Sequence, residues 1–191
     1  MNIVEEYFDK HAENWDSYAQ RSAQELNDLL KDVTIKKGDK VLDLACGTGV
    51  ITNLLYNKAK TDLYAIDISK KMIEIANKKN TQPNIHFQAI DFLNYKEKDF
   101  DAIILFDAYP HFLDVIKFKN HVSKALKRGG FLYIIHDCGR DELNNHHMTF
   151  AKDVSRLLLP PLEEAKQYHD NFYIIKAFEN NKTYQIYLRK K

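Results

Sequence analysis

Short apolar runs alternate with amphipathic stretches from Lys40 to Ile135, and this alternation is the feature that most restricts the fold. The apolar runs are continuous, as in strands that a parallel sheet buries on both faces. They predict strands at Lys40–Ala45, Asp62–Ile66, Ile85–Ala89, Phe100–Phe106 and Phe131–Ile135. Helical periodicity lies between them, at Val50–Lys58, Lys70–Asn80 and His111–Leu126. This order predicts a doubly wound, mostly parallel α/β sheet.

The two ends of the chain depart from this alternation. A leading helix is predicted over Val4–Leu30, and the pair Gly129-Gly130 is predicted to end the connection before the fifth strand. A polar, histidine-rich stretch with a proline break predicts an insertion at residues 136–169 that walls the site. The last apolar runs, Asn171–Phe178 and Thr183–Leu188, are spaced as a β-hairpin whose second strand enters the sheet antiparallel. The sum is a seven-stranded sheet in a single domain.

Length and composition restrict the class of protein. A chain of 191 residues has room for one domain with one core. With 28 basic and 27 acidic side chains, the net charge of +1 offers no field to hold a phosphate backbone, so we expect no nucleic-acid partner. The two cysteines, Cys46 and Cys138, are too few for a disulfide framework, which favours the cytoplasm. No apolar run approaches the roughly 20 residues of a membrane span, so we expect no membrane association.

A glycine-rich turn joins the first predicted strand to its helix, in the segment Val41–Gly49. Gly47 and Gly49 let the backbone pass close to a ligand, and the amides at the start of the following helix favour a carboxylate. The segment resembles the first motif of class I S-adenosylmethionine-dependent methyltransferases, and the resemblance extends to about Ile135. It implies a Rossmann-like methyltransferase fold, S-adenosyl-L-methionine as the cofactor and S-adenosyl-L-homocysteine as its product.

An acidic residue, Asp67, ends the second predicted strand about 20 residues past the glycines, the spacing at which a carboxylate reaches a ribose diol. Alone, it would be read as a solvated strand-end carboxylate. The resemblance implies that Asp43 orients the turn and meets the cofactor's ammonium, that Asp91 faces the adenine amine, and that Phe92 lies beside the ring. The alternative for Asp91 and Phe92 is a capped turn with a core aromatic.

The resemblance also implies a wider set of cofactor contacts. They are Ala45, Cys46, Ile68, Phe106, Tyr7, Trp15 and Tyr18. We interpret Cys46 as a packing residue, not a nucleophile. The stretch Tyr7–Asp16 resembles the leading helix of small-molecule methyltransferases, which folds over the cofactor as a lid; alternatively, its aromatic residues form the apolar face that docks the helix.

The acceptor side is predicted in the loop after the fourth strand, because loops at the carboxyl ends of parallel strands line the ligand crevice. The resemblance implies catalytic or orienting roles for Asp107, Tyr109 and His111. The local sequence Asp-Ala-Tyr-Pro departs from the Asn/Asp-Pro-Pro-Tyr form of many amino-group and nucleic-acid methyltransferases, which argues against methylation of DNA bases. His111 and His136, each just past a strand end, are candidate general bases; the alternative for each is a capping or solvated histidine.

The stretch from residue 136 to residue 147 is rich in histidine, aspartate and asparagine. His146 and His147 are adjacent, and no spacing here matches a zinc pattern, so we expect no metal. Arg140 is either a binding group for an anionic acceptor or a salt-bridged surface arginine.

These features predict a methyltransferase that acts on an unidentified, small-molecule acceptor, as a monomer or a homodimer. A non-catalytic S-adenosylmethionine-binding protein or subunit is the first alternative. An NAD-dependent oxidoreductase is the second, and it is less favoured because Thr52 stands where the dinucleotide fingerprint has its third glycine.

Overall fold

The computed structural model describes residues 2–18 and 20–191, which form two compact units, one ending at Tyr95 and the other beginning at Lys96. The first unit contains three parallel strands, of which the second along the chain lies in the centre. They are β1 (Val41–Leu44), β2 (Leu63–Asp67) and β3 (Ile85–Ala89). All of β1 and most of β2 are buried, as expected for strands covered on both faces.

Two helices of the first unit agree with the sequence prediction to within about two residues. They are α4 (Thr52–Ala59) and α5 (Lys70–Lys79). Helix α5 begins after Ser69, whose hydroxyl accepts a hydrogen bond from Met72 N at 3.1 Å, as an N-cap does.

The prediction of one continuous helix over Val4–Leu30 was wrong. The segment contains α1 (Ile3–His11), a 3-10 turn (Ala12–Asn14), α2 (Trp15–Tyr18) and α3 (Ala23–Leu29). A capping box starts α3, because Ser22 Oγ accepts from Glu25 N while the Glu25 carboxylate accepts from Ser22 N. Ala19, inside the predicted helix, lies outside the described residues.

The second unit contains four strands, whose order in the sheet is first, second, fourth and third along the chain. They are β4 (Phe100–Phe106), β5 (Leu126–His136), β6 (Phe172–Asn180) and β7 (Thr183–Lys190). Strands β4 and β5 are parallel, and β7 runs antiparallel to both β5 and β6, which confirms the predicted hairpin and the direction of the last strand.

The prediction that Gly129-Gly130 ends the connection before the fifth strand was wrong. The pair lies inside β5. A Cβ at Gly130 would lie 2.9 Å from the carbonyl oxygen of Phe100, so only glycine allows this close approach between the strands. The register shifts at the same place, between Phe100 and Ala102. The glycine pair therefore serves a strand irregularity and not a turn.

Three helices complete the second unit. They are α6 (Val115–Ala125), α7 (Arg140–Phe150) and α8 (Pro161–Lys166). Helix α6 begins later than predicted, because a 3-10 turn occupies Tyr109–His111 and Asp114 then caps the helix by accepting from Lys117 N at 3.0 Å. Helices α7 and α8 lie within the predicted insertion.

Counted over the described residues, the chain has seven strands in a mostly parallel α/β sheet with a C-terminal antiparallel pair, as predicted. Within the two described ranges, every helix is too short or too polar to cross a membrane.

Candidate functional site

The turn after β1 is held by a buried carboxylate. Asp43 is 1% exposed and accepts a hydrogen bond from Thr52 Oγ1 of α4 at 2.6 Å. Between them, Ala45, Gly47 and Gly49 have φ values of 56°, 52° and 80°, a left-handed backbone that folds the chain sharply from strand to helix. Asp43 thus fixes the geometry of the turn, whereas its predicted contact with a cofactor ammonium stays a prediction.

Asp67 connects this turn to the end of β2. Its Oδ2 accepts from Gly47 N at 2.9 Å and its Oδ1 from Ser69 N at 2.8 Å, while 8% of the residue remains exposed. Burial raises the pKa of Asp67 to about 6 and the pKa of Asp43 to about 7. The two strand-end acids and the glycine turn, predicted separately from the sequence, therefore form one cluster.

Gly49 is the tightest position of the turn. A Cβ there would lie 2.6 Å from Asn80 Nδ2 and 3.2 Å from Thr52 Oγ1. We expect Gly49→Ala to lower the free energy of unfolding by the cost of a left-handed alanine, about 1–2 kcal/mol, plus about 1–3 kcal/mol for the clash. Gly38→Ala is the matched control, because Gly38 has a φ of 92° and open space around it. Equal losses in urea titrations of the two variants would contradict the clash.

The other predicted cofactor contacts of the first unit have local roles. Asp91 accepts a hydrogen bond from Leu93 N at 2.9 Å and caps a 3-10 turn, and Phe92 is 3% exposed. These are the features of a capped turn with a core aromatic, the alternative given above. The adenine-binding role of both residues stays a prediction. Cys46 is 6% exposed, and burial raises the pKa of its thiol well above the usual range, as suits a packing residue. Ile68 is partly exposed beside Asp67.

The aromatic residues of the N-terminal segment differ in placement. Trp15 Nε1 lies 3.9 Å from the position that a Cβ of Gly47 would take, and Phe8 packs edge-on against the Trp15 ring with centroids 5.3 Å apart. Tyr7 packs against His11, and burial raises the pKa of its phenol. Tyr18 is 71% exposed. The structure thus places Trp15 at the glycine turn, whereas the roles predicted for Tyr7 and Tyr18 stay predictions.

In the second unit, two of the predicted catalytic residues lie together. Asp107 Oδ1 is 3.5 Å from His136 Nδ1, and the same oxygen accepts from Asp137 N at 3.1 Å. His136 ends β5 with no solvent exposure, and Asp107 follows β4 with a φ of 52°. Phe106, at the end of β4, is buried. The strand ends therefore supply a histidine–carboxylate pair.

His111 faces a different environment. Its Nδ1 donates to the carbonyl oxygen of Val154 at 2.9 Å, and its ring meets the His147 ring edge-on with centroids 5.0 Å apart. Burial lowers the pKa of His111 to about 4 and the pKa of His147 to about 3. Both imidazoles are therefore neutral at physiological pH.

A buried polar network around Glu164 was not predicted from the sequence. The Glu164 side chain is fully buried and accepts from Arg156 Nη1 at 2.7 Å, from Tyr109 Oη at 3.1 Å and from Leu159 N at 3.1 Å. Tyr109 and Tyr168 hydroxyls are 2.8 Å apart. The Tyr109 hydroxyl is thus engaged inside the unit, and burial raises its pKa. No sequence signal indicates this network, because its members come from separate segments.

Arg140, the first residue of α7, forms two ion pairs. Arg140 Nη2 lies 3.1 Å from Asp141 Oδ1 and its Nε lies 3.5 Å from Glu179 Oε2, the contacts of a salt-bridged arginine. Among residues 2–18 and 20–191, no group of three or more histidine, cysteine or acidic side chains is arranged to hold a metal ion. The expectation of no metal stays a prediction.

Comparison with known proteins decides the family. A family profile for a methyltransferase domain matches residues 35–186, which is most of the chain. The chain belongs to the class I S-adenosylmethionine-dependent methyltransferases. The chain is 32% identical over 137 residues to the malonyl-[acyl-carrier protein] O-methyltransferase of Acetivibrio thermocellus, an alignment that covers 68% of this chain and 47% of the relative. The chain spans about half the length of the first curated relatives it matches.

Solved structures agree with the fold of this chain. The N-methyltransferase NodS from Bradyrhizobium japonicum WM9, in complex with S-adenosyl-L-homocysteine, has a TM-score of 0.74 and 14% identity, with 99% of each chain covered. A complex between the Haloferax volcanii Trm112 methyltransferase activator and a methyltransferase has a TM-score of 0.83 and 16% identity, with 98% of this chain and 97% of that chain covered. At these identities the likeness shows the fold alone.

Proposed function

We propose that this methyltransferase binds S-adenosyl-L-methionine and transfers its methyl group to a small-molecule acceptor, leaving S-adenosyl-L-homocysteine. The observation that carries the proposal is the cluster of Asp67, Asp43 and the glycine turn in the first unit, where Asp67 accepts from Gly47 N at 2.9 Å. In this proposal the chain is one catalytic domain, with residues 1–30 over the cofactor and residues 136–169 beside the acceptor.

The residues of this cluster fit the cofactor. A Cβ at Gly47 would have Trp15 Nε1 as its nearest neighbour, at 3.9 Å, so the glycine leaves room for a ligand at the turn. Each carboxylate oxygen of Asp67 accepts one backbone hydrogen bond and keeps a second lone pair that can accept from a ribose hydroxyl. The backbone at Gly47 and Gly49 suits the amino-acid end. When bound, the cofactor supplies a methyl group on an electrophilic sulfonium. Alignment by the chain's own residues accounts for up to about 7–11 kcal/mol of a barrier.

The dinucleotide alternative has a specific argument against it. Thr52, at the place of the third glycine, is fully buried and donates its hydroxyl hydrogen bond to Asp43. This position therefore packs α4 against β1 through a side chain, whereas the dinucleotide fingerprint needs a glycine there for close helix–strand packing.

On the acceptor side, we propose His136 as the general base and Asp107 as the group that orients it. The Asp107 carboxylate, 3.5 Å from His136 Nδ1, favours the tautomer with the proton on Nδ1 and the lone pair on Nε2. His111 is the weaker candidate, because an imidazole with a pKa near 4 accepts a proton poorly at pH 7.

We expect His136→Asn to lower kcat by about 10²–10⁴-fold with an acceptor that must lose a proton, and to leave the affinity for S-adenosyl-L-homocysteine within about twofold. Turnover is measured as S-adenosyl-L-homocysteine released with thiol, amine, hydroxyl and metalloid acceptors. His169→Asn, an exposed histidine of the second unit, is the control. A larger loss in His111→Asn than in His136→Asn would contradict the assignment, and binding without turnover on any acceptor would favour the non-catalytic alternative.

The composition supports a small-molecule acceptor. The relative from Acetivibrio thermocellus is named as an O-methyltransferase and NodS as an N-methyltransferase, so the proposal names no acceptor atom. The near-neutral charge supports a small molecule over nucleic acid. The cytoplasmic location, the absence of a membrane partner and the state of monomer or homodimer stay predictions.

A further inference from the structure

Two aspartates of the N-terminal segment bind the elements that surround the glycine turn. Asp16, at the end nearer the turn, accepts from Thr48 Oγ1 at 2.5 Å through one oxygen and pairs with Lys79 Nζ at 2.7 Å through the other. Lys79 Nζ also donates to Thr48 Oγ1 at 3.2 Å. The three side chains therefore close a triangle in which helix α2, the glycine turn and helix α5 each supply one corner.

Asp9 forms a second anchor on the same segment. Its Oδ1 accepts from Ser69 Oγ at 2.5 Å and from Lys71 N at 3.2 Å, at the N-terminus of α5. Ser69 N in turn donates to Asp67 Oδ1. Ser69 therefore links Asp9 by hydrogen bonds to Asp67, the residue that we propose binds the ribose.

Each member of the aromatic pair is a sequence neighbour of one anchor. Phe8 precedes Asp9 and Trp15 precedes Asp16 in the sequence, and the two rings pack edge-on with centroids 5.3 Å apart. Trp15 Nε1 lies 3.9 Å from the position that a Cβ of Gly47 would take. Since the aspartates bond to elements around the turn, they determine where Trp15 lies relative to Gly47.

We propose that Asp9 and Asp16 are positioning residues that latch the segment 3–18 across the glycine turn, so that release of the cofactor requires the latch to open. The inference rests on the proposed function, because the cofactor whose release requires opening is the one proposed to bind at this turn. The latch is suited to reversible opening: the Lys79 and Asp16 side chains are 39% and 49% exposed, and such pairs are weak and screened by salt.

Trp15 makes the latch directly observable, because it is the one tryptophan of the chain. In the cofactor-free protein, Asp16→Asn and Lys79→Gln are expected to increase the open fraction about two- to fivefold, read as stronger acrylamide quenching of Trp15 fluorescence. Asp16→Glu should restore most of the wild-type quenching. The control is Lys127→Gln, which removes a surface pair of similar length, 2.9 Å to Asp101, in the second unit. Unchanged quenching in Asp16→Asn and Asp9→Asn would overturn the latch.

The effect of the latch on release is tested by measuring the dissociation rate of S-adenosyl-L-homocysteine from the full chain by stopped flow. Asp16→Asn and Asp9→Asn are each expected to release it about two- to fivefold faster, with little change in the association rate. Raised ionic strength should speed release from the wild type and have less effect on Asp16→Asn. Wild-type dissociation rates in both variants would overturn the latch alone, whereas a wild-type protein that binds no S-adenosyl-L-homocysteine would reject the proposed function.

Discussion

Replacing Asp67 with alanine is expected to weaken the binding of S-adenosyl-L-homocysteine by about ten- to a hundredfold at pH 8. The loss follows from removing charge-assisted hydrogen bonds to the ribose, worth about 1.5–3 kcal/mol. Calorimetric titration measures it, and Asp67→Asn, which keeps the shape of the side chain, should show most of the same loss. Asp62→Ala is the matched control, because Asp62 directly precedes β2 but is exposed and pairs with His86. Wild-type affinity in Asp67→Ala would contradict the ribose assignment.

The same residue gives binding a defined pH dependence. Burial raises the pKa of Asp67 to about 6 in the cofactor-free protein, and a protonated acid is a poor acceptor for ribose hydroxyls. Affinity is therefore fully present above about pH 7 and is expected to fall about tenfold per pH unit below about 6. Asp67→Asn should abolish this dependence. A midpoint near 7 would instead point to Asp43, whose pKa burial raises to about 7.

The largest effect on stability is expected from Glu164→Ala, which should lower the free energy of unfolding by about 3–5 kcal/mol. The variant leaves the partly buried Arg156 without the carboxylate that lies 2.7 Å from its Nη1, and it also removes an acceptor from Tyr109, Leu159 and Gln167. Urea unfolding of the full chain measures the change.

Two further variants separate charge burial from general damage to the core. Tyr109→Phe removes two hydrogen bonds, to Glu164 and to Tyr168, without leaving a buried charge unpaired, and should cost about 1–3 kcal/mol. Glu164→Leu combined with Arg156→Met should recover much of the stability, because replacing both members of a buried ion pair with apolar residues is often close to neutral. A loss below about 1 kcal/mol in Glu164→Ala would contradict the structural role of the network.

The site features that were predictable from sequence are those encoded by neighbouring residues. The turn at Gly47 and Gly49 follows a buried strand directly, and Asp67 occupies the end of the next strand, so strand order alone brings the two to one edge of the sheet. The pairing of Asp107 with His136 follows in the same way, since β4 and β5 are parallel neighbours. Parallel-strand topology thus turns local patterns into a spatial cluster.

Features that depend on distant side chains could not be predicted. The bonds from Asp16 to Thr48 and from Asp9 to Ser69 join positions 32 and 60 residues apart, and no local pattern indicates them. Tyr109 was assigned to the acceptor from its position after β4, but its hydroxyl bonds to Tyr168, 59 residues away. The break in the N-terminal helix was within reach of sequence reasoning, because Ser22 and Glu25 form a recognisable capping box.

Calorimetric titration of the full chain with S-adenosyl-L-homocysteine, beside NAD, tests the central claim most directly. The cluster of Asp43, Asp67 and the glycine turn predicts saturable binding of one S-adenosyl-L-homocysteine per chain and no binding of NAD. A chain that binds NAD, or that gives no heat and no thermal stabilisation with S-adenosyl-L-homocysteine, would contradict it.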